Sequence, residues 1–169
     1  MPDLYHFSED GAIGAFVPRR HPVNDQPPYV WAIDAAHSAN YLLPRDCPRI
    51  CIASGAATTD EDRERFFGHS AAARIIVVES GWLPAIRSTT LYRYDLPAGP
   101  FQLYDRGAGY YVSPEPVAPL AVAALSDLLA SLLELGVELR LTPSLWPLQR
   151  AVAASSLEFS MIRMRNAIR

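Results

Sequence analysis

The sequence contains no lysine, because all fifteen of its basic residues are arginine. Two kinds of catalytic group are therefore missing: the lysine that forms a Schiff base and the lysine of a phosphate-binding loop. This absence excludes pyridoxal enzymes, P-loop nucleotide hydrolases and kinases.

Cysteines, long apolar runs and basic tracts are also scarce. Cys47 and Cys51 are the only cysteines, too few for a zinc site or a disulfide framework, so we expect reduced thiols. No apolar run has the length of a membrane span and the N-terminus has no signal-peptide pattern, which predicts a cytoplasmic protein without a membrane partner. The net charge of −3 and the lack of a basic tract argue against bulk nucleic-acid binding.

Familiar catalytic motifs are missing as well. The chain has no G-x-S-x-G, G-x-G-x-x-G or H-E-x-x-H, and its four histidines are widely spread. A hydrolase that uses Ser, His and Asp without a recognisable motif stays open as an alternative, and it requires a histidine beside an exposed serine.

The most informative stretch is residues 29–44, YVWAIDAAHSANYLLP. Residues 29–33 are mostly β-formers, and Asp34 has the side chain to cap a helix that Pro44 ends. Apolar residues recur at i, i+4, i+7 and i+8 along this helix: Ala35, Ala39, Leu42 and Leu43. The opposite face then carries His37, Asn40 and Tyr41, either as a polar site or as a solvated helix face.

The rest of the chain alternates short strands and helices in a domain of 169 residues, half of them apolar. Strands are expected at residues 4–8, 49–53, 74–79, 89–96, 100–104, 110–113, 117–122 and 137–141. Helices are expected after the capping residues Thr58, Ser126 and Thr142, with helical turns at residues 80–87. Residues 159–168 fit a helix or a strand.

Two further features are candidates for binding. In the strand at residues 4–8, His6 shares a face with Leu4 and Ser8, either as a packing residue or as a ligand-binding group. The loop at residues 16–28 carries Arg19, Arg20 and His21, which suit either a phosphate or an ordinary solvated surface.

Four segments in order, YHFS, VWAIDAAHSANY, LYRYDL and GYYVSPEPVAPL, resemble the ADP-ribosyltransferase superfamily. The similarity is greatest to its rifampin-modifying and RNA 2′-phosphotransferase-like branches. It covers residues 4–122 and implies an α+β fold with a split, mainly antiparallel sheet, so that residues 123–169 form a helix–strand–helix extension of one domain. The whole chain also resembles a bacterial family of standalone domains with no assigned activity.

This resemblance implies a site for NAD as substrate, without a metal. It assigns catalytic roles to His6, which would orient the ribose, and to Tyr41, which would stack on nicotinamide. Glu115, several residues after the family's glutamate position, is the catalytic candidate for the acid if the enzyme has moved this group. The other residues implied for cofactor binding are Ser8, Trp31, Tyr110 and Ser113. Many relatives have a glutamate where this chain has Gly109, Tyr110 and Tyr111, although the phosphotransferase-like branch works without it.

The chemistry explains the need for such groups, because cleavage of the nicotinamide–ribose bond develops oxocarbenium-like positive charge that a carboxylate stabilises. The expected function is ADP-ribosyl transfer from NAD to a small molecule or a nucleic-acid end. The alternative is a non-catalytic module of the same fold that binds a ligand or a partner.

Overall fold

A computed structural model describes residues 1–20 and 25–169, and it has the expected mixed α+β composition with mainly antiparallel sheets. The described residues group into two compact units, one comprising residues 1–41 and 90–126 and the other residues 42–89 and 127–169. Within the described ranges, no helix has the length and apolar character to cross a membrane. His21 of the arginine-containing loop lies outside the described residues.

The first unit contains a six-stranded sheet in which every neighbouring pair is antiparallel. Its strands, in the spatial order β6-β7-β2-β1-β5-β8, are β1 (Leu4–Ser8), β2 (Val30–Asp34), β5 (Leu91–Leu96), β6 (Gln102–Asp105), β7 (Tyr110–Ser113) and β8 (Ala121–Leu125). A 3-10 helix, Ala35–Tyr41, follows β2 directly.

One face of this sheet, here called the core face, carries a buried cluster. Its members on the strands are Leu4, Val30, Ala32, Tyr94 and Leu96, and Phe16, Phe101 and Val117 join them from the connections. Because side chains alternate along a strand, the neighbours Trp31, Arg93 and Asp95 lie on the opposite face. This alternation decides which of the predicted site residues can meet.

The second unit contains a four-stranded sheet with the order β10-β3-β4-β9, in which only the β4–β9 pair is parallel. Its strands are β3 (Arg49–Ala53), β4 (Arg74–Glu79), β9 (Val137–Thr142) and β10 (Glu158–Ile162). Its helices are α1 (Asp60–Phe67), α2 (Leu83–Ser88), α3 (Leu128–Glu134), α4 (Trp146–Ala153) and the 3-10 helices Ser80–Trp82 and Met164–Asn166. The apolar strands β3 and β4 supply its core, which includes the fully buried Ile50 and Ile75.

Several expected elements differ from the structure in their boundaries. Helix α1 is capped by Thr59, whose hydroxyl accepts from the Asp62 N–H, whereas Thr58 accepts from the Gly55 N–H. Helix α3 is capped by Asp127 rather than Ser126. Both corrections move the cap by one position, because two adjacent side chains could each accept the free N–H groups of the first turn.

The expected strand at residues 117–122 is displaced to Ala121–Leu125. Val117 instead forms an isolated bridge with Phe16, and Pro119, which has no N–H to donate, separates this bridge from β8. The terminal element begins as strand β10 and becomes a 3-10 helix after Arg163, whose φ of 56° breaks the extended backbone.

The helix after β2 is a 3-10 helix and ends at Tyr41, before Pro44. Two side chains explain the tighter winding, since Asp34 Oδ1 accepts from the His37 N–H and Ser38 Oγ donates to the Ala35 carbonyl, each across three residues. With three residues per turn, His37 and Asn40 lie in line and Tyr41 is rotated away from them. Asn40 is buried, so the three residues do not form one solvated polar face.

Candidate functional site

Trp31, Tyr41 and Tyr110, three of the residues predicted to bind NAD, lie close together in the first unit. The Trp31 ring is 5.8 Å from the Tyr110 ring, and the Tyr41 and Tyr110 hydroxyls are 2.6 Å apart. The register explains the first contact, because Trp31 pairs with Val112 and Ile33 with Tyr110 on adjacent strands. The hydroxyl contact then fixes the end of the 3-10 helix against β7.

Two more tyrosines extend this group. The Trp31 ring lies 4.9 Å from the Tyr104 ring of β6 and 6.4 Å from the Tyr29 ring. The five residues Tyr29, Trp31, Tyr41, Tyr104 and Tyr110 are here called the aromatic surface. Tyr104 is 43% exposed and the other four are partly exposed, so the rings are accessible to a ligand.

His6 and Ser8 lie on the core face, away from the aromatic surface. His6 pairs with Tyr94 across β1 and β5, and its ring centroid is 4.6 Å from that of Phe16. Its Nδ1 donates to the Trp31 carbonyl oxygen at 3.0 Å, and the hydroxyl of Ser8 accepts from the Asp10 N–H. The partly buried His6 imidazole is therefore packed against an aromatic ring and bonded to the backbone.

Ser113 and Glu115 also lie apart from the aromatic surface. Ser113 pairs with Val30 of the core face and is fully buried, and its hydroxyl bonds with both the N–H and the carbonyl of Glu115. The Glu115 side chain is exposed in the bend that follows β7. The structure thus does not bring the seven predicted residues together: His6, Ser8 and Ser113 lie on the core face, Trp31 and Tyr110 on the opposite face, Tyr41 on the 3-10 helix and Glu115 in a bend, and their roles stay predictions.

An Asp–His pair at the end of β2 is a feature that the sequence did not single out. Asp34 pairs with Leu4, which places its side chain on the core face and not on the face of Trp31 and Tyr110. Asp34 Oδ1 lies 2.7 Å from His37 Nδ1, and the two side chains are 19% and 20% exposed. The pair borders Gly109, the residue before Tyr110: a Cβ atom at Gly109 would lie 2.3 Å from His37 Nδ1. The D-x-x-H spacing at a helix start was the available signal, since residues three apart are neighbours on a helix.

Tyr104 was also missed. It belongs to the four-residue strand β6 at the sheet edge, and its contact with Trp31 depends on the pairing of β6 with β7. The hydrophobic pattern that normally predicts strand pairing is missing here, because all four residues of β6 are exposed.

The second unit has a cavity of about 460 Å³. Its lining residues are Ser54, Arg63, Glu64, Phe67, Gly68, Ser70, Ala72 and Ala73. The Arg63 guanidinium already donates to the Ser54 hydroxyl and the Thr58 carbonyl, so its charge is committed to internal contacts. Within the described residues, no group of three or more His, Cys, Asp or Glu side chains is arranged to hold a metal ion.

Comparison with protein families gives one result that covers nearly the whole chain. The model of a family of unknown function, DUF6886, matches residues 5–167, and the chain therefore belongs to this family. Neither the curated proteins nor the solved structures gave a significant match.

Proposed function

We propose that this protein binds a nucleotide-type ligand with a planar ring, NAD being the first candidate, by stacking that ring on the aromatic surface. The observation that carries the proposal is the position of Trp31, partly exposed and bordered by Tyr29, Tyr104 and Tyr110 on one face of the sheet. Stacking of a base on an aromatic side chain contributes about 1–3 kcal/mol.

The ring geometry is compatible with a stacked ligand. Trp31 meets Tyr104 and Tyr110 at interplanar angles of 69° and 89°, so neither tyrosine is stacked in parallel on the indole. The competing explanation is structural, since aromatic cross-strand pairs stabilise a sheet edge by about 0.2–1 kcal/mol. Ligand affinity and folding stability must therefore be measured separately for each variant.

A cationic residue adjoins this surface. The backbone of Arg19 bridges to that of Tyr29, and the Arg19 side chain is exposed. A guanidinium at this place suits the pyrophosphate of a dinucleotide, because it can donate several hydrogen bonds to phosphate oxygens.

ADP-ribosyl transfer to a small molecule or a nucleic-acid end is the second candidate, and an ADP-ribosyltransferase-like fold is part of it. The motif order and the mainly antiparallel sheets support that fold. The specific observation in favour of transfer is the Asp34 carboxylate, which lies against Gly109, one of the positions where many relatives carry a glutamate, and can serve as the acidic group in place of Glu115. Without this chemistry the protein is a non-catalytic ligand-binding module.

Calorimetric titration and thermal-shift assays with NAD, NADP, ADP-ribose and a 2′-phosphorylated nucleotide test the binding. NAD should raise the melting temperature of the wild type, because it binds the native state alone. Trp31→Ala should lower the affinity for NAD about 5- to 150-fold, the equivalent of one lost stacking contact, and Trp31→Phe should retain most of it. Arg19→Gln should weaken the binding of NAD about tenfold and leave that of nicotinamide riboside unchanged.

Two matched variants control for general effects. Phe159→Ala removes a 46%-exposed aromatic side chain from β10 in the other unit, and Arg87→Gln removes an exposed arginine from α2. Both should bind NAD like the wild type. The proposal is wrong if none of the four ligands binds at millimolar concentration, or if Trp31→Ala and Phe159→Ala bind NAD equally well.

A further inference from the structure

Strand β8 is an edge of the six-stranded sheet, and among the described strands β5 is its one neighbour. An edge strand directs the N–H and carbonyl groups of alternate residues away from its neighbour, where another strand can bind them. The sequence of β8 is AVAAL, and the side chains of Val122 and of the adjoining Leu120 are 50% and 72% exposed. An exposed apolar edge of this kind is a site of association between chains.

The other edge strands that the structure describes carry charged residues: Asp105 on β6, Glu138 and Arg140 on β9, and Glu158 on β10. Strand β6 also has a register shift between Leu103 and Asp105. Charges and bulges at an edge hinder the approach of a second strand, and the five residues of β8 include neither. The sheet of the first unit is therefore protected at one edge and open at the other.

The register of β8 defines its two faces. Val122 pairs with Tyr94 and lies on the core face, whereas Ala123 pairs with Arg93 and lies on the opposite face. Tyr94 is only 1% exposed, so the core is closed at β5 and left half open one strand further, at Val122. A strand added beside β8 would cover the Val122 side chain.

We propose that β8 pairs with β8 of a second copy of this chain, antiparallel and centred on Ala123, so that two sheets join in a two-fold symmetric dimer. In this register Val122 faces Ala124 of the second copy and Ala121 faces Leu125, so each larger side chain meets an alanine. Ala123 faces its own counterpart at the axis. The strand is thus complementary to itself in size, and it brings no charge against another.

The competing contact is between β8 of one copy and β6 of the next. Such a head-to-tail contact repeats without closing and gives filaments instead of dimers. The Asp105 carboxylate and the register shift of β6 disfavour it. The two modes of association also differ in the strands on which they depend, so substitutions can separate them.

Sedimentation equilibrium of the full-length protein at about 1 to 500 μM measures the association. One short strand per copy is a small interface, below the roughly 1,200 Å² of stable complexes, so the wild type should be a reversible dimer with a micromolar Kd. Ala123→Lys and Ala123→Glu should each be monomeric, because each places two like charges opposite one another at the axis. An equimolar mixture of these two variants should dimerise again, since opposite charges then meet.

Leu103→Lys is the matched control, because it adds the same charge to the other edge of the same sheet, at a side chain that is 42% exposed. It should dimerise like the wild type. Val122→Lys is the second variant if Ala123→Lys does not fold, and it should also be monomeric, because the dimer would bury its charge. Urea unfolding shows that each variant is folded.

Three results would overturn the inference. A wild type that stays monomeric at all these concentrations would leave β8 available only for a strand of a different protein. Association that Leu103→Lys abolishes and Ala123→Lys does not would assign the contact to β6. A mixture of Ala123→Lys and Ala123→Glu that stays monomeric would show that Ala123 does not lie at a two-fold axis.

Discussion

The hydroxyl groups of Tyr41 and Tyr110 lie 2.6 Å apart, although the residues are 69 positions apart in the chain. Tyr41 is the last residue of the 3-10 helix and Tyr110 the first of β7, so one hydrogen bond joins the two segments that flank the Asp34–His37 pair. The helix that carries His37 is thus held at both ends, by Asp34 at its start and by Tyr41 at its end.

The first prediction concerns this hydroxyl pair. Tyr41→Phe and Tyr110→Phe should each lower the free energy of unfolding by about 0.5–1.5 kcal/mol, the net contribution of one hydrogen bond. The double variant should cost much less than the sum, because both single variants remove the same bond. Urea unfolding of all four proteins measures the coupling. Additive losses would show that the hydroxyls do not interact in solution.

Gly109 and Gly136 provide a matched pair for the second prediction. Both have positive φ, 72° and 67°, but a Cβ atom at Gly136 would meet nothing within 4 Å. Gly136→Ala should therefore cost about 1–2 kcal/mol of unfolding free energy for its backbone conformation alone. Gly109→Ala should cost more, because the new methyl group must also displace His37 and Asp34.

Chemical denaturation of both variants gives the two costs, and the affinity for NAD shows whether the aromatic surface is disturbed. If both variants lost the same unfolding free energy, the Asp34–His37 pair would not lie against Gly109.

The sequence was sufficient for the position of several strands and for the mixed α+β composition. The strands at Leu4–Ser8, Arg49–Ala53 and Arg74–Glu79 were predicted with their observed bounds, because each is a β-branched or aromatic run between turn residues. Boundaries were less certain where neighbouring side chains competed for one role, as Thr58 and Thr59 did for the cap of α1.

The grouping of the site was not predictable in the same way. Alternation within one strand correctly separated His6 from its neighbours Tyr5 and Phe7, but it could not relate His6 on β1 to Trp31 on β2. That relation depends on which residues pair across strands, for example Tyr5 with Ile33, and such register is set by the packed core. A one-residue shift would have placed Trp31 on the core face.

The third prediction is a pH dependence in the second unit. Glu138 accepts hydrogen bonds from the Ser70 hydroxyl and from Arg140 Nε. Both bonds lower the pKa of Glu138 below the usual 4.5, and the bond from Ser70 has the larger effect. A carboxyl whose pKa is lower in the folded state stabilises the protein above its unfolded pKa, and this contribution is lost as the pH falls through the folded value.

Glu138→Gln should therefore be less stable than the wild type at pH 7, by no more than about 1 kcal/mol because the pair is exposed to solvent. The difference should shrink as the pH falls below 4.5. Glu134→Gln, at an exposed position of α3, should match the wild type throughout. Urea unfolding between pH 3 and pH 7 measures the three curves, and a Glu138 difference that grows at acid pH would contradict this assignment.

The fourth prediction concerns the two thiols, which lie fully buried in the second unit. Burial raises the pKa of Cys47 to about 11 and that of Cys51 to about 12. At pH 8 the thiolate fraction of such groups is about 1 in 1,000 or less, against about 1 in 4 for an ordinary cysteine.

Because the thiolate is the reactive form, Ellman's reagent should modify neither thiol of the native protein in the time that it needs to modify both thiols in guanidinium chloride. Ser88→Cys, which places a thiol at an exposed position of α2, should react at once. Rapid modification of a native thiol would contradict the burial of that cysteine.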